Sequence, residues 1–330
     1  MTKAGRPEAK LYSKILLVVT PESPAETLLD AANLAERHGA DLVAFSCLEA
    51  PSDRTALERA LGLPPDQLLQ HLVEDRRRQV EDMIAEAKLT VPNTVEIRIG
   101  KPFIETIHYV LAEDVDLVIK SAEPLSGVQR FLFASTDHHL VRKCPCPVWL
   151  QMHGSQTAPR TILAAVDVDE WDATEPETLR DLNQRVLETA LGLAGDTDAV
   201  VYALHAWDAV GEGMIWAFAS GADARLAADI YTNGVLAARQ TALETLIRSF
   251  DQNAVGGRTP RIIPRLARGP ADEVIADQVR ALKPDLLVLG TVARTGVSGV
   301  IIGNTAEDIL NRVDCSIVAV KPSSFKSPLQ

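Results

Sequence analysis

Short uninterrupted apolar runs alternate along the chain with longer stretches in which apolar residues recur every three or four positions. The first run is Ile15–Val19, stopped by Thr20-Pro21-Glu22. A helical pattern follows over Ala25–Arg37 with Gly39 as its stop, then a strand over Asp41–Cys47 and a long amphipathic helix over Pro65–Lys88. Val95–Ile99 reads as a strand, Phe103–Ala112 as a helix and Asp116–Lys120 as a strand; a helix near Thr136–Arg142 and a strand over Pro147–Gln151 close the series. The same alternation then starts again: Thr161–Val166, Leu182–Ala194, Ala199–His205, Ala222–Phe250, Arg261–Ala267, Ala271–Leu282, Asp285–Leu289, Thr305–Asn311 and Ser316–Val320. Apolar runs without polar alternation, separated by helices, are strands covered on both faces, and this means parallel pairing. Right-handed crossovers wind such strands into an open, doubly wound α/β sheet. Ligands of such sheets sit at the strands' carboxyl ends where the winding reverses, so each copy should carry a crevice between its first and fourth strands.

The two halves match residue by residue. Gly100 and Gly269 open stretches that align without a gap: Val110 with Val279, Asp116-Leu117 with Asp285-Leu286, Gly127-Val128 with Gly296-Val297, Thr136 with Thr305 and Cys146 with Cys315. The extra length of the second copy falls in Asp169–Arg185 and Asp208–Ala222. The expected organisation is a first domain over 1–153, a second over 158–322 and a flexible tail over 323–330 rich in Ser and Pro.

After the fourth strand of the second copy come Gly290-Thr-Val-Ala293, nine residues, and Gly303-Asn304-Thr305 opening a helix. Phosphate oxygens need backbone N–H groups at close range and the positive end of a helix dipole. Glycine permits the close approach, and a hydroxyl at the helix start adds a donor. This arrangement resembles the universal stress proteins, whose nucleotide-binding members carry Gly-x2-Gly-x9-Gly-[Ser/Thr] here. The resemblance covers nearly the whole chain, twice. Cys144-Pro-Cys-Pro-Val-Trp149 and Gly303-Asn-Thr-Ala-Glu307 look like the tandem E-type branch. It implies two tandem, five-stranded, parallel-sheet (Rossmann-like) universal stress protein domains.

The second copy departs from the motif at Ala293 and Asn304, and Thr305 follows one place late. The first copy aligns Ser121, Pro124, Ala134 and Ser135 with the four motif positions, so every glycine is gone and a proline removes a donor. The first copy is therefore expected to be structural. By the same resemblance, Asp167 at the end of the second copy's first strand lies near a nucleoside; the first copy has Thr20 there. His205, ending the second strand, stands where relatives meet the adenine, and Arg294 and Thr295 are placed to contact an anionic group. The expected ligand site is thus Asp167, His205, Gly290, Arg294, Thr295, Gly303, Asn304 and Thr305, for ATP or another nucleotide with Mg²⁺ as its companion. Each has a plainer role open to it: Asn304 and Thr305 as helix caps with Glu307 at capping-box spacing, the glycines as turn residues, Asp167 as a cap, His205 as a hydrogen-bonded core residue.

Composition removes several function classes. Lys and Arg number 33 against 45 Asp and Glu, a net charge of −12. With no basic excess there is no counterion-release term to hold nucleic acid or an anionic membrane. No apolar run is long enough to span a bilayer, and Ile15–Val19 is too short for the core of a signal peptide. Four cysteines are too few for a disulfide scaffold, and Cys144-Pro-Cys146 lacks the spacer of redox and zinc motifs, so buried thiols in the cytoplasm are expected. His138-His139 point different ways on a helix, and no metal site is expected there. The cluster Glu74–Arg78 reads as a solvated helix face, and Met214-Ile-Trp-Ala-Phe218 as core packing, with a pocket wall for an amphipathic or acyl ligand as the rival. The functional expectation is a cytoplasmic stress-response module that senses a small ligand and is not an enzyme. The alternatives are a slow metal-dependent nucleotide hydrolase using Asp167, an acyl-ligand binder and a pure interaction scaffold. The apolar last strands, Pro147–Gln151 and Ser316–Val320, are expected to pair within the chain as an internal pseudo-dimer, with a homodimer of chains left open.

Overall fold

The computed structural model describes residues 11–64, 66–89, 93–123, 135–152, 154, 158–194, 198–251, 261–291 and 304–330. The chain divides into two compact units, Met1–Thr157 with Phe325–Gln330, and Ala158–Val297 with Ile301–Ser324.

Unit 1 runs β1 (Lys14–Val18), α1 (Ala25–His38), β2 (Asp41–Leu48), α2 (Arg54–Leu61), α3 (Gln67–Glu86), β3 (Asn93–Ile99), α4 (Pro102–Glu113), β4 (Leu117–Ser121), α5 (Thr136–Lys143) and β5 (Val148–Gln151). Its strands lie in the order β3-β2-β1-β4-β5, all parallel, with β1 paired to β2 on one side and β4 on the other. The winding reverses between β1 and β4, where the crevice was expected. Unit 2 runs β6 (Thr161–Ala165), a single 3-10 turn (Glu170–Asp172), α6 (Pro176–Leu193), β7 (Val200–Trp207), α7 (Glu212–Phe218), α8 (Gly221–Asp251), β8 (Arg261–Arg268), α9 (Ala271–Leu282), β9 (Leu286–Gly290), α10 (Asn304–Arg312) and β10 (Ser316–Val320). Its parallel order is β10-β9-β6-β7-β8, with the reversal between β6 and β9.

One repeated residue explains how each sheet is pinned. Asp116, just before β4, accepts from the Ser13 and Lys14 backbone N–H groups at 2.5 and 2.9 Å. Its repeat partner Asp285 accepts from Arg160 and Thr161 at 2.8 and 2.9 Å. Each carboxylate thus satisfies the amides that enter the first strand of its unit and sets that strand's register against the fourth.

Three readings of the helices need correction. The helix expected over Pro65–Lys88 is preceded by another, α2, which ends where Gly62 takes a left-handed conformation (φ 69°); only glycine enters that region without strain. The cluster Glu74–Arg78 is not a uniformly solvated face. Arg77 turns inward and donates to the Val95 carbonyl at 2.7 Å, while Arg78 stays outside with Asp75. Met214, Trp216 and Phe218 do not pack into the core: they lie on α7 with exposures of 64, 50 and 86%. The seven residues of α7 contact mainly α8, too little surface to cover three large side chains. Cys144 and Cys146 are buried thiols with their sulfurs 3.6 Å apart.

Unit 1 buries a carboxyl of α1 whose partner is a neutral amide. Asp30 of α1 sits under the end of β5, where Gln151 donates to it at 2.8 Å. Burial raises its pKa to about 7; the Gln151 bond opposes this, and Glu26 adds a smaller upward push. The folded state therefore holds this proton more tightly than the unfolded chain. Its favourable contribution is complete below about pH 4 and is lost as pH rises towards 7. Asp30→Asn is expected to flatten this decline and to raise stability at pH 8 by about 2 kcal/mol. Urea melts of both proteins between pH 4 and 8 check this; parallel pH profiles contradict it.

Candidate functional site

The crevice of unit 2 is built around the carboxyl end of β6. Pairing with β7 continues one step past the strand through the Val166 amide and the Leu204 carbonyl at 2.9 Å. The buried side chain of Asn183 on α6 then takes over. Its Oδ1 accepts from the Asp167 N–H at 2.9 Å, and its Nδ2 donates to the Asp167 carbonyl at 2.6 Å. One amide thus replaces both ladder bonds that a neighbouring strand would have made. This holds Asp167 at the switch point while its carboxylate remains about a quarter exposed. The Asp167 Oδ1 accepts in turn from the Asp169 N–H at 3.1 Å, a local turn that aims the next carboxylate back at the crevice.

His205 reaches the same point from β7 and is 1% exposed. Its Nδ1 lies 3.4 Å from both the Val168 nitrogen and the Val166 oxygen, and 3.9 Å from Asp167 Oδ1. Its Nε2 is 3.7 Å from Asp169 Oδ1, too long for a hydrogen bond, and has no hydrogen-bond partner among the described residues. Burial holds the imidazole pKa below its ordinary value despite the upward pull of Asp169 and Asp167. Arg239, from α8, ion-pairs with Asp169 and lies over the Trp171 ring at 5.6 Å.

Asp167 and His205, both expected at this crevice, lie near one another here, joined by Asp169, Asn183 and Arg239, which the sequence did not point to. Gly290 ends β9, the strand beside β6. A Cβ there would fall 2.5 Å from Leu182 of α6, so this glycine is required by helix packing. Beyond it Thr291 is buried, and the buried ammonium of Lys321 donates to its hydroxyl. Thr305 is an exposed residue in the first turn of α10. Arg294, Thr295, Gly303 and the side chain of Asn304 lie outside the described residues.

The equivalent place in unit 1 is a cleft of about 200 Å³ whose walls include Thr20, Arg76, Lys120, Ser121, Glu123 and Thr136. Its lysine is already paired with carboxylates. The buried Lys120 ammonium is 2.7 Å from Asp137 and 3.7 Å from Glu123, and Asp137 also accepts from the Glu123 N–H at 2.7 Å. Burial and the Asp137 charge both push the Glu123 carboxyl upward. At the start of α5, Ser135 accepts from the His138 N–H at 3.1 Å. Ser135 thus caps the helix start while Asp137 in its first turn pairs with the buried lysine.

In each unit a parallel five-stranded sheet wound in opposite directions about a polar crevice defines a doubly wound α/β domain, present twice in tandem. The universal stress protein family matches residues 11–150 and again 160–321, and the chain belongs to that family. It is similar to the universal stress protein E of Salmonella typhi, 26% identical over 328 residues that make up 97% of this chain and 98% of that one. The Haemophilus influenzae homologue of the same protein is 29% identical over 217 residues, 63% of this chain and 62% of its own length. A solved structure of a putative universal stress protein from Pseudomonas aeruginosa superposes with a TM-score of 0.61 at 23% identity, covering 96% of each chain. A universal stress protein from Archaeoglobus fulgidus gives 0.61 at 13% identity over 95% of this chain and 99% of that one.

Asn183→Ala leaves the Asp167 amide and carbonyl without their side-chain partner. Unit 2 is expected to lose about 1–3 kcal/mol of stability. Hydrogen exchange at Asp167 and Val168 should rise more than elsewhere in the unit. Uniform acceleration across unit 2, or none, would contradict the clamp.

Proposed function

We propose that this protein is a ligand-sensing regulatory module of the stress response, and that unit 2 alone takes a nucleotide-type ligand. Membership of the tandem universal stress proteins supports the stress-response role. The cytoplasm is its proposed compartment, in keeping with thiols that stay reduced.

One observation carries the choice of unit. Asp137 in the first turn of α5 holds Lys120 and sets a buried carboxylate at the mouth of the cleft. Its repeat partner in α10 is Ala306, and the partner of Lys120 is Leu289. The Lys120–Asp137 ion pair of unit 1 therefore has no counterpart at the matching positions of unit 2, whose first acidic residue in that helix, Glu307, comes one place later. A helix start beside a strand end attracts anions, and a carboxylate set in its first turn against that end opposes them. Asp167 then offers an acceptor for a ribose or base hydroxyl or amine.

Calorimetric titration with ATP and with AMP, each with Mg²⁺, tests this reading. One site per chain is expected, with Asp167→Ala weakening it about tenfold and Asp137→Asn leaving it unchanged. Silence with both nucleotides, or loss of binding on changing Asp137, would contradict it. A second reading, an amphipathic ligand lying along α7, is favoured by the exposure of Met214, Trp216 and Phe218. Native mass spectrometry after mild extraction should then release an acyl-bearing molecule, and Phe218→Ser should abolish its retention.

A further inference from the structure

We propose that Asp167, Asp169 and His205 form a binding site for a divalent cation of the zinc or cobalt class, with Arg239 as its built-in competitor. This goes beyond the nucleotide reading and does not rest on it.

The geometry is close to that of a preformed site. One donor atom from each of the three side chains lies within 4.8 Å of the others, and His205 Nε2, the nitrogen that would bind, is 3.7 Å from Asp169 Oδ1. Donors of a tetrahedral zinc ion stand about 3.4 Å apart, so the His205–Asp169 pair needs to close by only a few tenths of an ångström, and rotation of the partly exposed Asp167 carboxylate brings in the third donor. Acidic groups gather on many surfaces without holding metal, but here a second feature is present. His205 is buried to 1% exposure with Nε2 aimed at Asp169, and no hydrogen bond reaches that nitrogen among the described residues. An imidazole buried in this way is costly unless something binds its lone pair.

Its tautomer can be set from the other side of the ring. With the proton on Nδ1, the imidazole faces the Val166 carbonyl at 3.4 Å and presents a bare Nε2 lone pair to the carboxylates; an ion at Nε2 would select this form over the one in which Nδ1 accepts from the Val168 N–H at 3.4 Å. Outer partners of this kind orient most metal-binding histidines. The carboxylates are likewise held, Asp167 by Asn183 and Asp169 by its turn onto Asp167.

The donor set decides the class of ion. Two carboxylate oxygens with one imidazole nitrogen suit zinc, cobalt or nickel; calcium and magnesium prefer oxygen throughout, and copper(I) wants sulfur. Three protein donors leave a position open to water or ligand. Arg239 sets the threshold. Its Nε meets the Asp169 oxygen that the ion would take, and the Trp171 face at 5.6 Å offers the guanidinium an alternative seat when displaced.

The test is titration of the full, untagged chain with Co²⁺ and with Zn²⁺ in the absence of nucleotide, by absorption and calorimetry. The expected result is one ion per chain, with weak ligand-field bands and no thiolate-to-cobalt charge-transfer band. His205→Gln should weaken binding about tenfold or more, while Arg239→Gln should tighten it severalfold with the fold intact by circular dichroism. Wild-type protein that takes up no ion overturns the proposal whatever the variants do. So does a charge-transfer band, which would place the ion on cysteines, or an Arg239→Gln variant that folds and binds no more tightly. Because nucleotide is absent throughout, failure here leaves the nucleotide titration to stand or fall alone.

Discussion

The end of β6 depends on a single side-chain amide. A parallel strand that runs out of neighbours must hand its last N–H and C=O to something, and in unit 2 both go to Asn183. From that clamp the rest of the crevice follows. Asp167 is held with its carboxylate turned outward, its local turn places Asp169, and the pair together face His205 arriving on β7. Without the clamp these groups would be residues of a mobile loop. With it they are fixed on the rigid part of the sheet.

Unit 1 carries different side chains at the corresponding place. Its switch point carries a lysine, and a buried ammonium must be neutralised. Asp137 does this from the start of α5, with Glu123 in support. That ion pair sets a carboxylate at the helix terminus that a phosphate would otherwise find. Unit 2 has Leu289 and Ala306 at the matching positions, so this pair has no counterpart there. Both units keep the aspartate that pins the first strand to the fourth, Asp116 and Asp285. The duplicated scaffold has therefore been preserved where it sets strand register and has diverged at the strand ends that border each crevice.

These features were unequally legible in the sequence. Buried parallel strands such as Ile15–Val19 and Leu286–Leu289 announce themselves because both faces are covered, leaving no polar residue to interrupt the run. The gap-free alignment from Gly100 and Gly269 gave away the duplication, and with it the meaning of Asp116 and Asp285. Asp167 and His205 were readable because they end strands whose order the repeat had already implied. Asn183 and Arg239 were not, since each acts across a distance in sequence that no local period encodes: Asn183 looks like one polar residue on an amphipathic helix, and Arg239 like one charge among many on α8. The exposed aromatics of α7 misled for the opposite reason, since apolar content argues for burial only when a neighbouring surface is large enough to cover it. α2 was overlooked because its only buried residue is Glu58, which left no apolar stripe to read.

We propose that the two crevices of one duplicated fold have divided their roles, the second taking an anionic ligand while an internal ion pair holds the lysine of the first. Hydrogen-exchange mass spectrometry with and without saturating Mg²⁺-ATP tests this on the intact chain. The account predicts slowed exchange in the segments after β6 and β9, around Asp167–Asp169 and Gly290–Thr291, with no change around Thr20–Ser23 or Ser121–Glu123. Protection confined to the unit 1 segments would contradict it.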